Sequence, residues 1–311
     1  MILNLSEPSS YGIKFKVSNF PDGQQAVTIL EEGIQKHESF RNLKDPVIIK
    51  SRLTSFRDLE LVICANKALR ELGVKDIKLE ICYLLGARSD RKFETGSVNY
   101  IKEVLAPIIN MQNFSSVTVL DAHSDVTEAC LANYRKETQY SQGFITFVLR
   151  DYFVDGSTDY SKMRLISPDA GALKKVYDVA ESIGYKEEII IASKHRDVKT
   201  GKITHTDVPI SVHDAGKDFF ILDDICDGGR TFIEIAKAIK TKQSLSSAVH
   251  PDQHGKIYLV VTHGIFSAGL KPLNEYFDGI YTTNSYVDMS DPNFSLTNDN
   301  EMHKLKQLKV I

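Results

Sequence analysis

Short apolar runs rich in β-branched residues alternate along the chain with stretches in which apolar side chains recur every three or four positions. The first pattern fits strands buried on both faces, the second fits amphipathic helices, and their alternation marks a parallel sheet with crossover helices. An α/β fold is expected. Strands are predicted at Val47 to Lys50, Ile77 to Leu84, Val117 to Leu120, Leu165 to Ser167, Glu188 to Ala192, Phe219 to Leu222 and Ile257 to Val261.

Between the first two runs, Leu59, Val62, Ile63, Leu69 and Leu72 share a helical face. Ser55 and Asp58 form a capping box ahead of them, and Gly73 suits the stop. A second helix reads through Ile101, Val104, Leu105 and Ile108, with Pro107 expected to kink or shorten it. A third carries Leu173, Val176, Val179 and Ile183 and closes at Gly184. The polar stretch from Glu137 to Gly143 separates two loosely similar halves. The boundary is placed there, dividing residues 1–140 from 141–311.

A chain of 311 residues is long enough for two cores. Hydrophobic residues at 42% and charged residues at 25% fit an ordinary globular protein. The net charge of −3, with no basic run, gives no reason to expect a nucleic acid as partner. Cys64, Cys82, Cys130 and Cys226 have no C-x-x-C pairing, which suggests neither zinc nor a redox motif and fits a reducing cytoplasm. His250 and His254 have metal-like spacing, but Pro251 breaks any helix between them. No leader and no run long enough to span a membrane is visible, so no membrane association is expected.

Most of the functional signal lies in Phe219-Phe220-Ile221-Leu222-Asp223-Asp224-Ile225-Cys226-Asp227-Gly228-Gly229-Arg230-Thr231, followed by the helical series Phe232, Ile235, Ala236 and Ile239. This reads as a strand, a loop and a helix start. Gly228 and Gly229 allow the backbone to turn its N–H groups toward an anion, Thr231 adds a hydroxyl, and the helix start adds positive potential. Asp223 and Asp224 are acceptors for vicinal sugar hydroxyls at the end of a strand, where ligands of open α/β sheets bind. A sugar phosphate fits this set. So does a plain capping turn, with Thr231 and Glu234 as its capping box.

This run resembles the phosphoribosyl diphosphate loop of type I phosphoribosyltransferases and, more closely, that of ribose-phosphate diphosphokinases, usually D-D-x-x-D-T-G-G-T. Gly228 stands in place of the family threonine and Arg230 in place of the second glycine. Further segments match in order from about residue 20 to 285. The resemblance implies two Rossmann-like domains of the type I phosphoribosyltransferase kind with mainly parallel sheets. Residues 1–140 would carry the ATP site and assembly contacts, and residues 141–311 would bind the ribose phosphate.

Phe20-Pro21-Asp22-Gly23-Gln24 resembles the family's F-x-D-G-E turn, which reaches a neighbouring subunit's nucleotide; Gln24 replaces the glutamate. Ala87-Arg88-Ser89-Asp90-Arg91-Lys92 is similar to the ATP segment A-R-Q-D-[RK]-K, with Ser89 for glutamine. Three cations within five residues at a strand end also suit a polyphosphate on chemical grounds. Asp121-Ala122-His123-Ser124 and Ser167-Pro168-Asp169-Ala170-Gly171 resemble the segments whose His and Asp serve the magnesium site. Asp169 could equally be the N-cap of a helix starting at Ala170. Ser193-Lys194-His195-Arg196, leading through Lys199, Gly201 and Lys202 to His205, looks like the catalytic flexible loop with its K-x-R pair. Thr262-His263-Gly264-Ile265-Phe266-Ser267 resembles T-H-G-x-[FL]-S, a structural and subunit-contact segment. Phe93-Glu94-Thr95-Gly96-Ser97-Val98 departs from the family's K-S-R-x-P, which leaves its feedback control in doubt here.

The resemblance implies attack by the anomeric hydroxyl of ribose 5-phosphate on the β-phosphorus of magnesium-ATP, releasing AMP. Phe20, Asp22, Gln24, Arg88, Ser89, Arg91 and Lys92 would bind ATP, and His123 and Asp169 would serve Mg2+. Lys194 and Arg196 would act on the transferring group. Asp223, Asp224, Asp227, Gly228, Gly229, Arg230 and Thr231 would hold the ribose phosphate. The family assembles as dimers that build hexamers. Arg230 leaves open an ADP-ribose acceptor, as in NAD-salvage relatives. The substitutions at Gln24, Ser89 and Arg230 also leave open a non-catalytic regulatory homologue, and a phosphoribosyltransferase shares the loop without explaining the Arg88 cluster.

Overall fold

A computed structural model describes residues 1–7, 12–30, 45–137, 139–153, 158–196, 203–211, 214, 216–245, 253–288 and 304–310, without the side chains of 139–141, 194–196 and 203–205. The chain divides into two compact units, Met1–Thr138 with Val310–Ile311, and Gln139–Lys309.

The first unit contains strands β1 (Ile2–Asn4), β2 (Lys14–Asn19), β3 (Gln25–Leu30), β4 (Val47–Arg52), β5 (Ile77–Tyr83) and β6 (Ser116–Val119), and helices α1 (Phe56–Glu71), α2 (Ala106–Asn110) and α3 (Asp125–Cys130). The described strands β1, β4, β5 and β6 form a parallel sheet in the order β1-β4-β5-β6. The expected capping box starts α1. The Asp58 carboxylate accepts from the Ser55 amide at 2.8 Å, and Leu59, Val62 and Leu69 are buried below it. The second expected helix changes pitch ahead of its proline. Residues Ile101–Leu105 form a wide turn in which the Ala106 amide donates to the Ile101 carbonyl, and α2 restarts with Pro107 in its first turn. Pro107 has no N–H to give and crowds the preceding turn, so the chain puts it where a missing donor costs least.

The second unit contains α4 (Gln139–Tyr152), β7 (Met163–Ser167), α5 (Leu173–Ile183), β8 (Ile190–Ile191), β9 (Ser193–Arg196), β10 (Ile203–Asp207), β11 (Asp218–Cys226), α6 (Arg230–Leu245), β12 (Ile257–Gly264), α7 (Lys271–Asn274), β13 (Gly279–Thr283) and β14 (Leu305–Leu308). The described sheet strands run parallel in the order β14-β13-β12-β11-β7-β8. The polar stretch expected as a separator is the start of α4. Phe144, Ile145 and Val148 need that helix to bring them onto the sheet, and the first turns, which need not pack, can be polar. The strand expected over Glu188 to Ala192 pairs with β7 only at Ile190 and Ile191.

β11 lies between β7 and β12, and both of its faces are covered. Phe219 and Ile221 pack with Ile235 and Ile239 of α6, whereas Phe220 and Leu222 pack with Val148 of α4 and Val176 of α5. Alternate side chains of a strand point to opposite faces, so a continuous apolar run is what a strand between two helical layers requires.

Replacing Ile221 by Ala removes buried methyl groups from fully enclosed surroundings and should cost about 2–5 kcal/mol. Urea unfolding checks this, and a loss under about 1 kcal/mol would contradict the packing described.

Candidate active site

Parallel strands end on one side of their sheet, and the loops after β7, β11 and β12 gather there. β11 runs further than its apolar residues suggest. Asp223 pairs opposite Val261, Ile225 opposite His263 and Cys226 opposite Gly264, so both acids belong to the strand itself. β12 continues alongside and extends the hydrogen-bond ladder past the apolar run.

After Cys226 the chain turns through Asp227, Gly228 and Gly229, and α6 begins at Arg230. Gly229 has φ +75°, and an added Cβ would lie 2.8 Å from Leu273, so both backbone and space require glycine. Thr231 sits inside the first helical turn, because the Ile233 amide already bonds to the Gly229 carbonyl at 3.0 Å. The alternative capping box from Thr231 to Glu234 is therefore not the helix start. Among the described residues, no hydrogen-bond acceptor takes the amides of Gly228, Gly229, Arg230 or Thr231. Gly228 and Arg230 are exposed and Thr231 is half-buried. Such donors at the positive end of a sixteen-residue helix suit an anion.

The acids lie one turn back. Asp224 is 3% exposed, and its carboxylate lies 3.5 Å from the Lys175 ammonium on α5. The Asp223 carboxyl is held well above the usual carboxylate range, first by burial, then by the charge of Asp224, with Asp169 adding to the push. Asp169, just beyond β7, accepts the amides of Gly171 at 3.0 Å and Ala172 at 3.2 Å, so it caps the turn before α5 rather than a helix starting at Ala170. The structure thus brings Asp169, Asp223, Asp224 and Asp227 to one side of the sheet. Lys175 was missed in the sequence, where a lysine in an amphipathic helix carries no signal.

The segment after β12 backs the loop. The amides of Ile265 and Phe266 both donate to the Cys226 carbonyl, at 2.9 and 3.1 Å, and the Ser267 hydroxyl donates to the Asp227 carboxylate. β9 and β10 form an antiparallel ribbon with Lys194 opposite Thr206 and Arg196 opposite Ile203. The side chains of Lys194 and Arg196, and residues 197–202 with Lys199, Gly201 and Lys202, lie outside the described residues, as do the side chain of His205 and all of His250.

In the first unit, the loop after β5 presents Arg88, Arg91 and Lys92 to solvent, with Ser89 half-buried. Gly86 permits this turn: a Cβ there would meet the Tyr100 ring at 2.5 Å. Lys92 lies 3.6 Å from Glu103, and the Arg91 guanidinium sits 5.6 Å from the centre of the Phe93 ring. His123 is half-buried in the loop between β6 and α3, next to Asp121 with its left-handed φ of 41°. Phe20, Asp22 and Gln24 occupy the exposed tip of the β2–β3 hairpin, where the Asp22 carboxylate accepts the Gln24 amide at 3.1 Å. Gln25 pins the hairpin to α1 through the Arg57 carbonyl, at 2.8 Å, and the Glu60 carboxylate. Among the described residues, no three His, Cys, Asp or Glu side chains are grouped to hold a metal by themselves.

No family model matches the chain. It is 25% identical over 262 residues to a ribose-phosphate pyrophosphokinase of Pyrococcus abyssi, covering 83% of this chain and 78% of the relative. It is 26% identical over 276 residues to a protein of the same description from Pyrococcus furiosus, covering 87% and 85%. Among solved structures, phosphoribosylpyrophosphate synthetase from Mycobacterium smegmatis shares the fold, with a TM-score of 0.69 and 18% identity over 96% of this chain and 86% of that one.

A carboxyl raised by its fold keeps its proton while the unfolded chain loses it, so Asp223 lowers stability as pH rises from the ordinary carboxylate range toward neutrality. Asp223→Asn should therefore be more stable than the natural protein near about pH 7, with the gap closing toward about pH 4. Thermal unfolding at both pH values checks this, and a variant less stable at neutral pH contradicts it.

Proposed function

We infer that this chain, a relative of the ribose-phosphate pyrophosphokinases along most of its length, is an enzyme that transfers the β,γ-diphosphate of ATP to the anomeric hydroxyl of ribose 5-phosphate. The observation that carries the reading is the set of free amides from Gly228 to Thr231 beside the paired acids Asp223 and Asp224. A 5-phosphate satisfies the amides, and the ribose hydroxyls give the carboxylates donors to accept.

Phosphoryl-type transfer asks a protein mainly for in-line positioning and for charge where charge develops. In this reading Arg88, Arg91 and Lys92 receive the ATP phosphates, with Ser89 beside them. Phe20, Asp22 and Gln24 are exposed at a hairpin tip, which suits a contact to the nucleotide of a neighbouring copy in a dimer or hexamer. Lys194 and Arg196 meet the transferring group. Mg2+ neutralises phosphate charge when bound. The chain fits it as an ion held by one or two carboxylates together with substrate phosphates, for which Asp169 and His123 are the proposed protein contacts. Crowded acids that keep Asp223 protonated are what a nearby cation would relieve. The cysteine thiols are all unpaired and no helix among the described residues is long and apolar enough to cross a membrane, in keeping with a cytoplasmic enzyme.

A second reading rests on Arg230. It is exposed and begins α6 directly beside the free amides, where its guanidinium can take a further phosphate. An acceptor whose 5-phosphate continues into a second phosphate, such as ADP-ribose, would use it.

Incubation with ATP, magnesium and ribose 5-phosphate should yield AMP and a diphosphorylated pentose by mass spectrometry; no acceptor-dependent AMP sinks the reading. Lys194→Ala and Arg196→Ala should each lower kcat by about 100-fold or more with KM changed only a few-fold, because their partner charge develops during transfer. With ADP-ribose as acceptor, Arg230→Gly should lose about 10-fold in kcat/KM while ribose 5-phosphate is unaffected. No turnover of ADP-ribose removes the second reading.

A further inference from the structure

We propose that Ser267 is a positioning residue for the sugar phosphate, acting through Asp227. The proposal rests on the pyrophosphokinase reading and extends it to a segment that the sequence marks only as structural. β12 ends at Gly264, where an added Cβ would meet the Phe266 ring at 2.3 Å and the Thr282 hydroxyl at 2.8 Å. Glycine at this position lets the chain fold back on itself at once. Phe266 then adopts a left-handed φ of 48°, a conformation that is costly for an aromatic residue and is held because its side chain is 1% exposed in the core.

This strained turn aims Ser267 at the cradle. Its hydroxyl donates to the Asp227 carboxylate and lies 3.9 Å from where a Cβ on Gly228 would be. The Cys226 carbonyl receives the amides of Ile265 and Phe266, so the two loops are joined at backbone and at side chain. A few residues on, Leu273 closes against Gly229. Each glycine of the cradle thus has a side chain from the post-β12 segment next to it. Asp227 is the residue at which this support meets the site. A carboxylate directly before an anion-binding turn repels a phosphate unless it is turned away, and the Ser267 hydroxyl gives it a fixed hydrogen-bonded orientation.

Ser267 is exposed, so trimming it leaves the core intact. Ser267→Ala should raise the Kd for ribose 5-phosphate, measured by calorimetry without nucleotide, and its KM in turnover, by about 5- to 30-fold. That range is about 1–2 kcal/mol, of the order of one hydrogen bond felt through the residue it positions. KM for ATP and the unfolding temperature should stay unchanged, and kcat should move by less than about 3-fold. Ser267→Thr, which keeps the hydroxyl, should restore the affinity. Ribose phosphate affinity unchanged in Ser267→Ala overturns the proposal, as does a loss shared equally with ATP or one that Ser267→Thr fails to repair. A natural protein that binds no ribose 5-phosphate overturns the parent reading and this proposal with it; normal binding by the natural protein together with an unaffected Ser267→Ala overturns this proposal alone.

Discussion

Four backbone N–H groups, from Gly228 to Thr231, have no acceptor among the described residues, and Gly228 and Arg230 are exposed. The rest of the second unit is arranged so that this can happen. An unmet donor inside a protein costs free energy comparable to a lost hydrogen bond, but one at the open start of a helix is left for water or for an anion. Its placement needs β11 to end at a defined point, and β11 is held there by β7 and β12 on either side and by helices on both faces. The apolar run from Phe219 to Leu222 is thus as much a part of the site as the glycines. It anchors the strand between the two helical layers, and the ladder with β12 carries it on to Cys226, where the turn into α6 starts.

Charge is distributed around that point with a division of labour. The Asp224 carboxylate lies 3.5 Å from the Lys175 ammonium, whereas burial and the charges of Asp224 and Asp169 push the Asp223 carboxyl up from its ordinary value. Asp169 is engaged in holding the turn before α5, which keeps its carboxylate at a set position. The cations of the first unit differ in character. Arg88, Arg91 and Lys92 are exposed, whereas the acids of the second unit lie at the ends of buried strands.

Backbone constraints recur wherever a loop leaves a strand end. Gly86 makes room for Tyr100 after β5, Gly229 for Leu273 after β11, and Gly264 for Phe266 after β12. In each case the missing side chain lets a large neighbour pack within contact of the main chain, so the loop is fixed by a buried group below it. Asp121 and Phe266 reach left-handed conformations without glycine, and both stand just past a strand end.

The sequence by itself determined the alternation of strands and helices, the parallel α/β class, the capping box at Ser55, an irregular helix at Pro107 and the stop at Gly184. All of these follow from local periodicity, from a missing amide or from a positive φ. It also marked the loop from Asp223 to Thr231 as a candidate for holding an anion, because glycines between a strand and a helix carry that chemistry locally. Only the tertiary structure decided that β11 runs through both acids, since the ladder with β12 is a pairing between residues far apart in the chain. The same holds for the pairing of Lys175 with Asp224 and of Ser267 with Asp227, across sequence separations that no periodicity records. It likewise raised the pKa of Asp223, because a pKa depends on burial and neighbouring charge, which exist only once the chain is folded.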